Sequence, residues 1–251
     1  MSHVRPDLSL FSLSGKTILV AGASKGIGLA IAEGLALAGA NVWGFGRSAG
    51  SSSPLFKYEQ CDVLDRAKFS RLVEDCLQAH GAINGYFHVA GVTVPTNGEP
   101  QNTEAFEDTL RINLTSAYTC CTQVGSHMVH QQFGSIVTVT SIGSMLGFPN
   151  NPGYVASKGG LRMMSKALAL DLGKFNIRVN SLVPGYIHTD MTNSSHSDPD
   201  KYAERAERTM LGRWGQTRDL VGAAVFLASD ASAYVTGTDL VVDGGWTAKG
   251  L

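Results

Sequence analysis

The sequence predicts an α/β fold, a doubly wound parallel sheet with helices on both faces. Three observations carry this. Apolar, β-branched runs without polar alternation recur along the chain, as strands buried on both faces require. Stretches with helical period stand between them, and glycine turns mark the joins. No linker or internal repeat interrupts the series, so residues 1–251 read as one domain.

The first unit, "KTILVAGASKGIGLAIAEGLALAGANVWGFGR", reads strand, glycine turn, helix, strand: residues 17–20, 27–37 and 42–45, with Gly39 as the helix stop. "LFKYEQ" predicts a strand, residues 66–80 a helix, "GYFHVAG" a strand and residues 104–130 a long helical stretch. "GSIVTVTS" predicts a strand, residues 154–173 a helix, and "IRVNSLVPG" and "GTDLVVDGG" the last two strands. Between these two lies a polar, turn-rich excursion, "NSSHSDP", then a short helix over residues 201–211. Residues 190–212 are expected to act as a substrate lid.

Composition narrows the function classes. With 43% hydrophobic residues the chain can bury a large core, and a net charge of -1 gives no reason to expect a nucleic-acid or acidic-membrane partner. Cys61, Cys76, Cys120 and Cys121 form no C-x-x-C pair and have no histidines at zinc spacing, so no metal site is expected and the thiols read as reduced. The start, "MSHVRPDLSLFSLSG", lacks a signal-peptide pattern, and residues 1–13 read as an N-terminal tail. No run approaches the roughly 20 apolar residues of a membrane helix. A soluble cytoplasmic protein is the expectation.

Gly22, Gly26 and Gly28 form G-x-x-x-G-x-G between the first strand and the first helix. Glycine permits close backbone approach, and free N–H groups at a helix start favour a pyrophosphate. The turn lies at the carboxyl end of a strand, where open α/β sheets bind dinucleotides. The second strand ends in Gly46-Arg47, without the carboxylate that would hold a ribose 2′-OH. Arg47 and Lys25 are cations suited to a 2′-phosphate, so NADP(H) is expected in preference to NAD(H).

Tyr154 and Lys158 stand four residues apart and share one face at the start of a predicted helix. A phenol titrates near 10, and a nearby ammonium is expected to lower that value towards usable acid–base chemistry.

Taken in order, these segments resemble the short-chain dehydrogenase/reductases over nearly the whole chain. "AGASKGIG" is similar to their cofactor turn, "CDV" to their adenine-contacting turn, and "HVAG" holds the place of their N-N-A-G. "RINLTSAY" carries their helix asparagine, and "VTSIGSMLGFPNNPGYVASK" their serine, tyrosine and lysine. "RVNSLVPGYIHTDM" and "TGTDLVVDGG" are similar to their P-G segment and last strand. The resemblance implies a Rossmann-like fold and a catalytic set of Asn113, Ser141, Tyr154 and Lys158. In it Tyr154 exchanges a proton with the substrate oxygen and Lys158 lowers its pKa and holds ribose hydroxyls. Ser141 hydrogen-bonds the substrate oxygen, and Asn113 holds a helix kink and a water. It also implies cofactor contacts from Gly22, Ser24, Lys25, Gly26, Ile27 and Gly28 in the turn, and from Arg47. Asp62 and Val63 would border adenine, Ala90 and Gly91 the ribose, and Pro184, Gly185, Ile187 and Thr189 the nicotinamide and phosphates. Thr138, Thr140 and Ser144 are hydroxyl neighbours that could stand in for Ser141, though its thirteen-residue offset from Tyr154 favours Ser141.

The chain departs from the family pattern at Ala21, usually threonine, and at His88 and Val89, usually asparagines. His88 reads as structural, and Trp214 and Trp246 as core aromatics. The implied reaction interconverts a secondary alcohol and a ketone. The flanks "FSLSGK", "PGYIHTDMT", "GRWG" and "DGGW" resemble the sugar-acid and polyol dehydrogenases, such as gluconate 5-dehydrogenases and 2-deoxygluconate 3-dehydrogenases. A 3-oxoacyl-thioester reductase is the alternative within the family, and a non-catalytic NADP(H)-sensing regulator the alternative outside it. Asn150 and Asn151 suit a hydroxyl-rich substrate, while Met145, Leu146 and Phe148 suit an apolar one. Family resemblance implies a homotetramer.

Overall fold

The computed structural model describes residues 8–95 and 102–250. One sheet holds β1 (Thr17–Ala21), β2 (Asn41–Gly46), β3 (Lys57–Gln60), β4 (Gly85–His88), β5 (Gly134–Val139), β6 (Ile177–Pro184) and β7 (Asp239–Val242). Their order is β3-β2-β1-β4-β5-β6-β7, and every pairing is parallel. The chain enters at β1, winds outward to β3, and returns to place β4 on the other side of β1. That reversal opens a crevice beyond the carboxyl ends of β1 and β4.

The helices are α1 (Gly26–Leu37), α2 (Arg66–His80), α3 (Thr103–Leu110), α4 (Ser116–Gln131), α5 (Pro152–Gly173), α6 (Asn193–His196), α7 (Pro199–Arg208) and α8 (Val221–Ala228). β1 shows why both sheet faces are covered. Leu19 and Ala21 point into a core built with Phe69 of α2, Val124 of α4 and Leu168 of α5. Ile18 and Val20 point the other way, into a core built with Ile31 and Leu35 of α1 and Leu227 of α8. A strand buried on both faces has no polar side to alternate, hence its apolar sequence.

α3 and α4 form one continuous helical stretch, joined by a π turn at Arg111–Thr115. The long helix expected over residues 104–130 is therefore present, with one wide turn inside it. Such turns store a local irregularity that often serves a site. Here Asn113 lies within it and is fully buried.

Three features differ from the sequence reading. Leu8–Phe11 forms an exposed 3₁₀ turn, and Leu13 is fully buried against the α1 side of the core. Residues 1–7 lie outside the described part. The strand expected over "GYFHVAG" ends at His88. α8 was not anticipated: "VGAAVFLA" is apolar all round and shows no helical period. A parallel β6–β7 pairing nonetheless requires a crossover, which α8 supplies.

α8 packs tightly on α1, where a Cβ on Gly34 would come within 2.2 Å of Val221 Cγ1. Gly34→Leu is expected to lower stability by about 1–3 kcal/mol through overpacking. Gly222→Ala, with open space around it, is expected to be neutral or to gain up to about 1 kcal/mol from helix propensity. Chemical denaturation of both variants checks the pair.

Candidate active site

The crevice begins at the glycine turn. Gly22 follows β1 with φ +82, and its N–H donates to Phe45 O of β2 at 2.7 Å. A Cβ on Gly22 would lie 2.8 Å from Ala90 N, and one on Gly28 only 2.0 Å from Gly22 O. The turn, α1 and the segment after β4 are therefore in backbone contact. α1 starts without a side-chain cap, so its first N–H groups face the crevice unclaimed by a capping side chain. This arrangement can hold a phosphate.

The tetrad residues come from three segments: the π turn, the end of β5 and α5. α5 carries Tyr154 and Lys158. Lys158 is buried, and its Nζ donates to Val139 O at the end of β5 at 2.8 Å. Asn113 stands beside it. Asn113 Oδ1 accepts from Val92 N at 2.8 Å, while Nδ2 donates to Val92 O at 2.9 Å and to Ser157 Oγ at 3.0 Å. All its partners are fixed backbone or buried hydroxyl, and a Cβ on Gly91 would lie 3.3 Å from both Asn113 Oδ1 and Lys158 Nζ. Ser141 follows β5, and its Oγ accepts from Gly143 N at 3.0 Å. Ser141 also hydrogen-bonds the Tyr154 hydroxyl. The hydroxyl neighbours do other work: Thr138 meets Ser165 at 2.8 Å, Thr140 donates to Leu182 O, and Ser144 donates to Ser141 O.

The electrostatics correct one expectation. Loss of solvent raises the Tyr154 phenol above its ordinary value; the Ser141 hydrogen bond opposes this and Tyr186 reinforces it. Lys158 does not bring the phenol down in the protein alone. Its ammonium lies 5.8 Å from the Tyr154 ring centroid and is directed at a carbonyl. Burial also acts on Lys158, pushing it down to about 8.

The glycine turn and three of the tetrad residues face one cleft with a volume of about 300 Å³. Gly22, Ser24, Lys25, Gly26, Ile27, Gly28, Arg47, Asp62, Val63, Ala90, Gly91, Pro184, Gly185, Ile187 and Thr189 all line it, with Ser141, Tyr154 and Lys158. Asn113 stands behind the wall, reaching the cleft through Val92 and Ile112, which do line it. Asp62 Oδ1 is engaged in its own turn, accepting from Leu64 N at 2.9 Å.

The profile of a short-chain dehydrogenase/reductase family described as enoyl-(acyl carrier protein) reductase matches residues 22–247. The chain belongs to the short-chain dehydrogenase/reductases. It is an NAD(P)-dependent oxidoreductase that interconverts a secondary alcohol and a ketone. Gluconate 5-dehydrogenase of Gluconobacter oxydans is 38% identical over 257 residues, covering 98% of this chain and 99% of the relative. A 3-oxoacyl-[acyl-carrier-protein] reductase of Chlamydia trachomatis is 36% identical, covering 93% of this chain and 98% of the relative. Among solved structures, a gluconate 5-dehydrogenase from Burkholderia cenocepacia in complex with NADP and tartrate superposes with a TM-score of 0.90. It is 32% identical and covers 97% of this chain and 99% of that one.

In this short-chain dehydrogenase/reductase the end of β2 is polar and carries no carboxylate. Arg47 follows Gly46, Ser48 follows Arg47, and Ser48 Oγ lies 3.4 Å from Ser24 Oγ. Sequence reasoning missed Ser48, whose only signal was its place beside Arg47. Met191 and Thr192 were missed likewise; they line the cleft just beyond the P-G segment. Lys25 differs from its expected availability. It pairs with Asp190 Oδ2 at 3.0 Å across the cleft mouth, and both side chains are exposed. An exposed pair of this kind contributes about 0–1 kcal/mol and opens readily.

His88 is fully buried on β4, with Nδ1 2.7 Å from the Tyr86 hydroxyl. Burial, then Lys158, push it down to about 3, so it stays neutral and packed. Trp214 is buried, and both it and Trp246 pack on Tyr186 outside the residues lining the cleft. Among the described residues no cluster could hold a metal ion, and no helix is long and apolar enough to cross a membrane.

A lysine with a folded pKa near 8 binds fewer protons in the native state than in the unfolded chain, where it titrates near 10.4. Its burial penalty is fully present below about pH 8 and is relieved as pH rises to about 10. Lys158→Met is therefore expected to be more favourable, relative to wild type, at pH 7 than at pH 10. The difference should be about 1–3 kcal/mol, read from denaturation midpoints at the two values.

Proposed function

We propose that this enzyme reduces a keto sugar acid, or oxidises the corresponding hydroxy acid, with NADP(H) in preference to NAD(H). The observation that carries the reading is the pairing of a Ser141-bonded Tyr154 with a buried Lys158 in one cleft with the glycine turn. The relatives named for gluconate oxidation support the substrate class, and Arg47 with the Ser24 and Ser48 hydroxyls supports the 2′-phosphate.

The residues fit a dinucleotide. At Gly22 and Gly28 the turn packs against the backbone of Ala90 and of Gly22 too closely for any Cβ, which holds the turn tight, and α1 offers its N–H groups to a pyrophosphate. Asp62 and Val63 would border the adenine, Gly91 and Lys158 the ribose, and Pro184, Gly185, Ile187 and Thr189 the nicotinamide and phosphates. The nicotinamide supplies or accepts the hydride when bound. Tyr154, kept protonated by burial, donates its proton to the substrate's carbonyl oxygen, and Ser141 holds that oxygen in line. Lys158 orients ribose hydroxyls, and its charge stabilises the phenolate that forms. Asn113 fixes the backbone of Val92 beside them. Asn151, which precedes α5, donates to Thr93 Oγ1 at 2.6 Å and keeps Oδ1 buried and unpartnered, an acceptor suited to a substrate hydroxyl.

We read residues 190–212 as the lid. The two ends of this excursion are tied together, His188 N donating to Gly215 O and Gly215 N to Tyr186 O, each at 2.9 Å. One sheet bears both cofactor and catalytic residues, which supports a single domain. Exposed Tyr118, Met163 and Leu170 on α4 and α5 support association through those helices, in the homotetramer expected of the family. Four buried free thiols support a reducing, cytoplasmic setting.

Tyr154→Phe is expected to bind NADPH as wild type, by fluorescence titration, and to lose about 10²–10⁴-fold in kcat. Retained turnover would remove Tyr154 from the reaction. Arg47→Ala is expected to raise KM for NADPH about 10- to 100-fold, the weight of a charged hydrogen bond, with NADH kinetics unchanged. A 3-oxoacyl thioester assayed beside 5-keto-D-gluconate separates the two substrate classes. Faster reduction of the thioester would favour the fatty-acid reading.

A further inference from the structure

Beyond the cleft, the excursion after β6 builds a box of aromatic rings around a cation. Tyr186 follows Gly185, its ring 4.8 Å from Trp246, 5.4 Å from Trp214 and 6.2 Å from Phe148. Arg205 of α7 lies over it, with Cζ 4.6 Å from the Tyr186 centroid and 5.7 Å from that of Trp214. Cation–π contact alone accounts for a guanidinium resting on these rings. It does not account for the rest of the group. Arg205 Nη1 is buried and has no hydrogen-bond partner, and Arg205 forms no ion pair with any described residue.

Three carboxylates of this segment are paired with other cations, and none of the ion pairs of the described residues involves Arg205. Asp190 pairs with Lys25, Asp198 with Lys201 and Glu204 with Arg208. Asp243 is taken up by its own turn, accepting from Gly245 N, Thr247 N and Thr247 Oγ1. A buried guanidinium edge without an acceptor is costly, and a planar fork in an apolar box matches a carboxylate in two parallel hydrogen bonds.

The box adjoins the reacting groups on two sides. Tyr186 is close enough to Tyr154 to act on its ionisation. Phe148 packs over Gly143, where a Cβ would lie 3.0 Å from Phe148 Cε2, and Gly143 N donates to Ser141 Oγ. Tyr186 stands between Gly185 and Ile187, which line the cleft, so a carbon chain with its carbonyl at Tyr154 and Ser141 would have to extend beyond that lining to meet Arg205.

We propose that Arg205 is the specificity-determining residue that receives the substrate's carboxylate, so that the enzyme selects keto acids over neutral ketoses. This rests on the sugar-acid reading above. That reading is tested first, in the wild-type enzyme, by comparing 5-keto-D-gluconate with D-fructose under saturating NADPH. Failure to prefer the acid would remove the reading and the proposal together.

Given that preference, Arg205→Gln is expected to raise KM for the keto acid about 10- to 100-fold with kcat little changed, and to leave fructose reduction as in wild type. Arg205→Lys should recover part of the loss. An equal fall on acid and neutral substrates would make Arg205 a packing residue and overturn the proposal, as would an unchanged keto-acid KM. Should the variants fail to fold, the wild-type enzyme still decides. D-Tartrate is expected to inhibit competitively at least tenfold more tightly than the neutral polyol threitol. Equal inhibition by the two would contradict a carboxylate site.

Discussion

The structure turns on a buried ammonium. Lys158 is held at the carboxyl end of β5 by a single carbonyl, that of Val139. Its charge is uncompensated by any carboxylate among the described residues, and burial pulls its pKa down to about 8. Keeping it there constrains every neighbour. The backbone after β4 must pass close by, at Gly91, and Asn113 must pin Val92 from within a π turn. The costs of a buried cation and an irregular helix are tolerated together because they meet at one point, where chemistry needs a fixed positive charge beside a phenol.

Much of this was legible in the sequence because its signals are local. The β1 run is apolar throughout since both faces are buried, and the glycines are where backbones touch. Tyr154 and Lys158 share a face by helix geometry alone. Other features were not legible, for physical reasons. α8 has no polar face and so no period. The rise of the Tyr154 pKa depends first on burial, which only the folded chain supplies, and then on the electrostatic influence of Tyr186, distant in the chain. The pairing of Lys25 with Asp190 joins residues 165 apart, and no local rule predicts it. Arg205 carries no local signal, because the rings it lies over, Tyr186 and Trp214, are brought to it only by the fold.

The glycine turn and the excursion after β6 are built on different principles. At the glycine turn the protein offers backbone N–H groups and an absence of side chains, a surface suited to any pyrophosphate. At the excursion after β6 it offers large side chains and a cation. Aromatic rings there exclude water and strengthen the field of a guanidinium. Local variation in that excursion can therefore change what is bound without disturbing how the hydride-bearing partner is held. This fits the similarity of the chain both to gluconate and to 3-oxoacyl enzymes at nearly equal identity.

The most direct test of the account is the pH dependence of kcat/KM for ketone reduction by the wild-type enzyme between pH 6 and 10. Reduction needs Tyr154 to give a proton while Lys158 carries its charge. With Lys158 near 8, kcat/KM is predicted to fall with the loss of one proton as pH rises through about 8. A profile that stays level to pH 10 would contradict the claim that a buried, depressed lysine controls the acid.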